Sequence, residues 1–223
     1  MEQDTEKRIA YLSAFVSEAR IRKFREVAAL RTRKLTVVLE DIYQPHNASA
    51  VLRTCDCFGV QDVHIIENRN RYRVNPDVAL GASKWLNLIK YAGLGNNTER
   101  CLKNLKEKGY KIAATALHQT AVSPEEFTPD SPLALVFGTE LKGISPEVEK
   151  QADVFLKIPM VGFTESFNIS VSAALCISQI LPRIKQKLNP WSLSLTEQNE
   201  LVLEWLRASI DKCDLIEKEF ESR

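Results

Sequence analysis

Residues 35–59, LTVVLEDIYQPHNASAVLRTCDCFG, contain the pattern that sets the class of fold. The apolar, β-branched run at 35–39 is typical of a buried strand, and residues 48–58 have the composition of a helix that Gly59 ends. A second apolar run, DVHIIE at 62–67, follows at once. A strand, a helix and a strand within so few residues predict a parallel βαβ unit.

The same alternation continues along most of the chain. Four more strands are predicted at LNLIKY (86–91), YKIAATAL (110–117), LALVF (133–137) and DVFLKI (153–158). Helices are predicted to begin after Asn96, Ser123-Pro124 and Ser145-Pro146, and a last core helix is predicted at about 168–187. The sequence therefore predicts an α/β fold with a mostly parallel sheet and helices on both faces.

Both ends of the chain differ from this pattern, so three parts are predicted. They are a basic N-terminal helical extension at 1–34, the α/β domain at 35–187 and a C-terminal helical extension at 188–223. Apolar residues at helical spacing predict one amphipathic helix in the first part. Asn189-Pro190 precedes a final predicted helix at about 196–220, which we expect to pack on the core or on a second subunit.

Positive charge is concentrated in two segments, although the net charge of the chain is only +1. Residues 1–34 hold nine Lys or Arg against five acids. A solvated helix face is the commoner explanation of such a stripe, and RNA contact is the alternative. A second cluster surrounds Tyr72, where the cations could bind phosphate and the aromatic ring could stack on a base. The candidate RNA-binding residues are Arg20, Arg22, Lys23, Arg25, Arg69, Arg71 and Arg73.

The composition excludes several other classes of protein. The chain has 223 residues, 44% of them hydrophobic and 26% charged, which is typical of a globular protein. Five scattered cysteines without a CxxC pair predict reduced thiols, and three dispersed histidines predict no metal site. A charged N-terminus and the lack of any apolar run of about 18 residues predict a cytoplasmic protein without a membrane span.

The usual nucleotide-binding motifs are absent, and three other motifs take their place at the predicted strand ends. There is no G-x-G-x-x-G and no G-x-x-x-x-G-K-[ST], which disfavours a Rossmann dehydrogenase, an ordinary Rossmann methyltransferase and a P-loop NTPase. The three motifs are Asn47 with Arg53 six positions later, FGTELKGIS at 137–145, and IPMVGFTESFNIS at 158–170. Because ligands bind at the carboxyl ends of parallel strands, we expect these motifs to converge.

In their order and spacing these motifs resemble the SPOUT superfamily of RNA methyltransferases, and within it the TrmH-type enzymes that methylate the ribose 2′-hydroxyl. The resemblance covers residues 35–185 and extends to PWSLS at 190–194. It implies a deep trefoil knot in the C-terminal third, a homodimer, and S-adenosylmethionine as the methyl donor. The implied cofactor cradle consists of Leu117, Gly138, Ile158, Met160 and Ile169.

The resemblance also implies a set of catalytic residues with Arg53 at its centre. A guanidinium is a poor base at neutral pH, so we expect Arg53 to bind an RNA phosphate bidentately and to orient the hydroxyl. Asn47 is either a helix cap or a cap that also fixes Arg53. Glu140 is either a solvated loop carboxylate or a group that orients Asn47 or the cofactor loop. Ser166 and Asn168 either cap the last core helix or also hold the ribose and Arg53.

The resemblance thus implies a tRNA ribose methyltransferase that acts on guanosine 18 of the D-loop. Methylation of ribosomal RNA is one alternative. A non-catalytic RNA-binding homologue is the other.

Overall fold

The computed structural model describes residues 2–72, 75–79, 81–116, 120–139 and 142–222. It contains two compact units. One is formed by Thr32–Trp191, and the other combines the N-terminal segment up to Arg31 with the C-terminal segment from Ser192. These boundaries lie close to the expected ones at 34 and 187, and the division into three domains stays a prediction.

The elements are numbered in chain order. The described helices are α1 Glu2–Ser13, α2 Glu18–Ala28, α3 Pro45–Phe58, α4 Pro76–Ala79, α5 Asn97–Glu107, α6 Pro146–Gln151, α7 Ile169–Lys187, α8 Leu195–Ser209 and α9 Cys213–Glu221. The described strands are β1 Leu35–Glu40, β2 Asp62–Ile66, β3 Asn87–Tyr91, β4 Lys111–Thr115, β5 Leu133–Phe137 and β6 Val154–Leu156. All six strands occur where the sequence predicts them.

The six strands form one sheet in the order β3-β2-β1-β5-β4-β6, and every pairing between them is parallel. Side chains of β1 alternate between two cores. Leu35, Val37 and Leu39 pack with α3 and α7, while Val38 packs with residues of α5 and α6. Burial on both faces explains why β1 is mostly apolar, and its two polar side chains, Thr36 and Glu40, are both hydrogen-bonded. The predicted α/β fold is therefore confirmed, and the trefoil knot stays a prediction because strand order does not describe threading.

Four helix predictions are corrected. Helix α3 begins at Pro45 rather than at 48, because proline at the first helical position has a preset φ. The segment after Ser123-Pro124 forms a turn, in which the amides of Glu126 and Phe127 donate to the Ser123 carbonyl. The predicted N-terminal helix is two helices, with Ser17 capping the second. The predicted final helix is also two, separated near Lys212, which has φ of 54°.

The terminal unit is held together by packing of α8 against α1 and α2. The Arg31 side chain is buried in this unit, with its guanidinium 5.5 Å from the centre of the Trp205 ring. Arg207 pairs with Glu217 at 2.7 Å, and its hydrogen bonds keep the pKa of that carboxyl below the ordinary value. Arg31 therefore contributes to the core of this unit and not to an exposed basic face.

Candidate active site

A cavity of about 780 Å³ opens where three neighbouring strands of the sheet end. Thr115, Phe137 and Leu156, which end β4, β5 and β6, line its floor. The N-terminal turn of α7 forms another side, with Ile169 in the wall. A cavity at the carboxyl edge of a parallel sheet is the usual ligand site of this class of fold.

Most of the residues that the sequence singled out meet in this cavity. Those that line it are Asn47, Gly138, Ile158, Met160, Ser166, Asn168 and Ile169. Leu117 and Glu140 lie outside the described residues. The three sequence motifs, far apart in the chain, are therefore each represented at one site, and the roles given to their residues stay predictions.

Asn168 connects two helices at the edge of the cavity. Its Oδ1 accepts from the Ser170 amide at 2.9 Å and so caps α7, while its Nδ2 donates to Asn47 Oδ1 at 3.0 Å. The side-chain amide of Asn47 in turn donates to Gln44 Oε1 at 3.3 Å. The partial positive charge of the α7 N-terminus thus faces a polar edge where an anion is favoured.

Asn47 and Arg53 do not share a face of α3. Gln44, not Asn47, occupies the N-cap position of that helix, so the cap predicted for Asn47 is wrong. A separation of six residues places the two side chains about 120° apart around the helix axis. Arg53 is exposed, and among the described residues none forms a hydrogen bond or ion pair with its guanidinium. That guanidinium is therefore available to an external anion.

The turn after β5 requires glycine at its first position. The Thr139 amide donates to the Gly143 carbonyl at 2.8 Å, and the Gly143 amide returns a bond to Thr139 at 2.9 Å. Gly143 has φ of +67°. A Cβ on Gly138 would collide with the Gly143 carbonyl and with the Ile144 amide. This turn therefore presents bare main chain to the cavity.

The cavity also contains four charged residues that the sequence analysis did not single out, two inside the motifs and two outside them. They are Lys142, Glu149, Lys157 and Glu165. Lys157 follows β6 directly, so a search of every strand end would have found it, whereas Glu149 lies inside α6 and has no such signal. Conversely, His64 is buried in β2, and desolvation lowers its pKa to about 4, so it is neutral at pH 7.

The predicted RNA-binding residues lie on two surfaces. Arg20, Arg22, Lys23 and Arg25 are all exposed on α2. Arg69 and Arg71 are exposed in the loop after β2, and Arg73 lies outside the described residues.

Within the described ranges no helix is long and apolar enough to cross a membrane, and no group of three His, Cys, Asp or Glu is placed to hold a metal ion.

Fold and cavity together define an α/β protein with a ligand-sized cavity at the carboxyl edge of a parallel sheet, lined in part by the exposed cations Lys142 and Lys157. The chain belongs to the SpoU rRNA Methylase family, whose model matches residues 34–178. This membership confirms the resemblance that the three motifs indicated.

Individual relatives match nearly the whole chain. One from Borreliella burgdorferi, named tRNA (guanosine(18)-2'-O)-methyltransferase, is 42% identical over 217 residues, which are 97% of this chain and 98% of the relative. The crystal structure of the A. aeolicus TrmH/SpoU tRNA modifying enzyme has a TM-score of 0.78 at 30% identity and covers 87% of this chain and 98% of that one. The SpoU methyltransferase AviRb from Streptomyces viridochromogenes, solved with the cofactor AdoMet, shares the fold with a TM-score of 0.58 at 18% identity, over 73% of this chain and 64% of that one.

Proposed function

We propose that this protein transfers a methyl group from S-adenosylmethionine to the ribose 2′-hydroxyl of guanosine 18 in the D-loop of tRNA. The observation that carries the proposal is that residues from each of the three motifs line one cavity, in a chain that a tRNA (guanosine(18)-2'-O)-methyltransferase matches almost end to end. With tRNA as the substrate, the proposed location is the cytoplasm.

The cavity fits the proposed donor in size and in chemistry. About 780 Å³ is within the usual range for sites that bind cofactors. Ile158, Met160 and Ile169 offer apolar surface to an adenine ring, and the turn at Gly138 offers main-chain groups without an intervening side chain. AdoMet in the AviRb structure supports the same class of ligand at the level of the fold. When bound, S-adenosylmethionine supplies an electrophilic methyl group on a sulfonium.

The residues of this chain would orient the acceptor. The exposed guanidinium of Arg53 suits a bidentate contact with the phosphate next to the target ribose. Ser166 and Asn168, at the N-terminus of α7, would hold the sugar. The hydroxyl oxygen forms the new bond to carbon as the carbon–sulfur bond breaks, and its proton leaves to the neighbouring phosphate or to water. Alignment of oxygen, carbon and sulfur then supplies much of the rate acceleration.

One experiment separates this function from its alternatives. Purified protein is incubated with tritiated S-adenosylmethionine and with tRNA, the same tRNA carrying 2′-deoxyguanosine at position 18, or ribosomal RNA. We expect label in the first RNA only, and nuclease digestion with mass spectrometry should give 2′-O-methylguanosine. Label in ribosomal RNA alone would favour that substrate instead. Binding of tRNA without any transfer would indicate a non-catalytic homologue.

A homodimer is also proposed, because large apolar side chains are exposed beside the cavity. Val161 and Phe163 are fully exposed, and Phe167 is 43% exposed, all on the loop before α7. Contiguous apolar surface of this kind marks an interaction site. A second copy of the chain would cover it and would let one tRNA contact both subunits.

Replacing Val161 and Phe163 together by glutamate should convert the dimer to monomers, because charged side chains cannot be buried unpaired in the interface. The measurement is mass by light scattering during size-exclusion chromatography. Leu94→Glu is the matched control, since Leu94 is fully exposed on a different loop, and this variant should stay dimeric. A monomeric wild type, or equal dissociation by both variants, would contradict the proposed interface.

The basic face of α2 is proposed to bind tRNA phosphates. Changing Arg20, Arg22, Lys23 and Arg25 to alanine should lower tRNA affinity about 10- to 100-fold and should flatten the plot of log affinity against log salt concentration, since fewer counterions are released. Anisotropy titrations at several salt concentrations measure both effects. The control removes four other exposed cations, Lys103, Lys106, Lys108 and Lys150, and should change affinity less than about twofold. If the salt slope of the α2 variant is unchanged, the cations of α2 face solvent and do not contact tRNA.

A further inference from the structure

The carboxylate of Asp41 is surrounded by the main chain of the basic loop that follows β2. Its Oδ1 accepts hydrogen bonds from three consecutive amides, those of Asn68 at 2.7 Å, Arg69 at 2.9 Å and Asn70 at 3.3 Å. Asp41 is only 8% exposed and has φ of 52°, in the left-handed region that Asp and Asn adopt more readily than other non-glycine residues. A buried carboxylate that accepts from three consecutive amides fixes the backbone of the loop that donates them.

Further bonds hold the same loop from its other side. The Asn70 side-chain amide donates to the Asp41 carbonyl at 2.7 Å. The Asn68 side-chain amide donates to Thr98 Oγ1 at 2.8 Å, and that hydroxyl donates to the buried Glu40 at 2.6 Å. The end of β1 therefore supplies two adjacent acids, one to the loop directly and one through Thr98.

This arrangement determines which groups the loop can offer to RNA. Three consecutive amides that point at one spot form a nest that would otherwise bind an anion such as phosphate. Here the carboxylate of Asp41 fills the nest, so the loop presents its exposed guanidiniums, Arg69 and Arg71, instead of its backbone.

The same acid also ties this loop to the cavity. Asp41 lies in the short segment between β1 and α3, three residues before Gln44 and six before Asn47, both of which line the cavity. The amide of Asp41 donates to the Ile66 carbonyl at 3.0 Å, which anchors that segment to the end of β2. The position of the basic loop is thus set by a residue of the segment that leads to Arg53.

We propose that Asp41 is a positioning residue for the RNA substrate: it holds Arg69 and Arg71 at a set distance from the cavity, so that a tRNA bound by these arginines reaches Arg53 in register. The proposal rests on the proposed function, and it extends that function to the recognition of the substrate.

The test uses Asp41→Gly, because glycine adopts a φ near +52° without strain and the substitution removes the carboxylate without forcing the backbone into another conformation. We expect KM for tRNA to rise about tenfold, as expected for misplaced phosphate contacts, while KM for S-adenosylmethionine and kcat change less than about threefold. Asp41→Asn keeps an oxygen acceptor and tolerates the left-handed conformation. Its KM for tRNA should therefore rise only about threefold. Asp211→Gly, at an exposed turn, controls for net charge and should behave as wild type.

A double-mutant cycle decides between positioning and general stabilisation. In the background Arg69→Ala/Arg71→Ala, Asp41→Gly should weaken tRNA binding by less than about twofold, because the groups it positions are gone. An additional tenfold loss in that background would overturn the proposal, as would unchanged tRNA binding by the Arg69→Ala/Arg71→Ala variant itself. Binding is measured by anisotropy without turnover, so a protein that binds tRNA but transfers no methyl refutes the proposed function while the cycle still decides the role of Asp41.

Discussion

Replacing Arg53 by alanine is expected to reduce methyl transfer to tRNA by about 1,000-fold or more, while affinity for S-adenosylmethionine stays within a few-fold. The reason is geometric. Arg53 is exposed on α3 and does not line the cavity, so its loss should leave the donor site intact. What is lost is the bidentate contact that orients the ribose hydroxyl. Single-turnover transfer of tritiated methyl and calorimetric titration of the donor measure the two effects separately.

Two further variants sharpen this prediction. Arg53→Lys keeps the charge but not the planar fork, and should recover no more than about tenfold of the lost rate. Cys57→Ala changes an exposed side chain one turn further along α3 and should leave the rate unchanged. Turnover near the wild-type rate in Arg53→Ala would refute the role given to this residue.

Gly138→Ala should weaken donor binding strongly. The added methyl would collide with the Gly143 carbonyl and the Ile144 amide, which are main-chain atoms and cannot rotate away. Forcing the turn apart costs about 1–3 kcal/mol or more, which corresponds to roughly a 5- to 150-fold loss of affinity. Isothermal titration calorimetry with S-adenosylmethionine measures the change, and a thermal melt should show that the folded sheet persists.

Gly162→Ala is the matched control for this substitution. Gly162 lies in the loop between β6 and α7, and a Cβ there would lie 4.0 Å from its nearest neighbour, the Thr164 amide. Donor affinity should therefore change less than about twofold. If Gly138→Ala binds the donor as tightly as this control does, the turn after β5 does not form part of the cofactor cradle.

Much of the fold was predictable because short-range signals mark its elements. Continuous apolar runs mark strands that are buried on both faces, and residues such as Gly59, with φ of 77°, mark helix ends. The helix predictions that the structure corrects are those for which the residues also suit a turn or a break between two helices. The turn after Ser123 has the residues of a helix start, but Pro129 follows within six residues and disfavours helical backbone at the residue before it, so only a single turn forms.

The site was predictable only as a set of motifs. The hydrogen bond between Asn47 and Asn168, which are 121 residues apart, was not predicted and follows from no property of either segment alone. The exposed position of Arg53, its separation from Asn47 around α3, and the charged residues Lys142 and Glu149 in the cavity are visible only in the assembled chain.

By itself, then, the sequence determined the α/β class, the six strands and the residues worth attention, because hydrophobic period and capping are properties of neighbouring residues. The tertiary structure alone decided which strand ends meet, which glycine has no room for a side chain, and that Asp41 accepts from three amides of the Arg69 loop. These are distances between segments far apart in the chain, and they exist only once the parallel sheet has placed those segments at one edge.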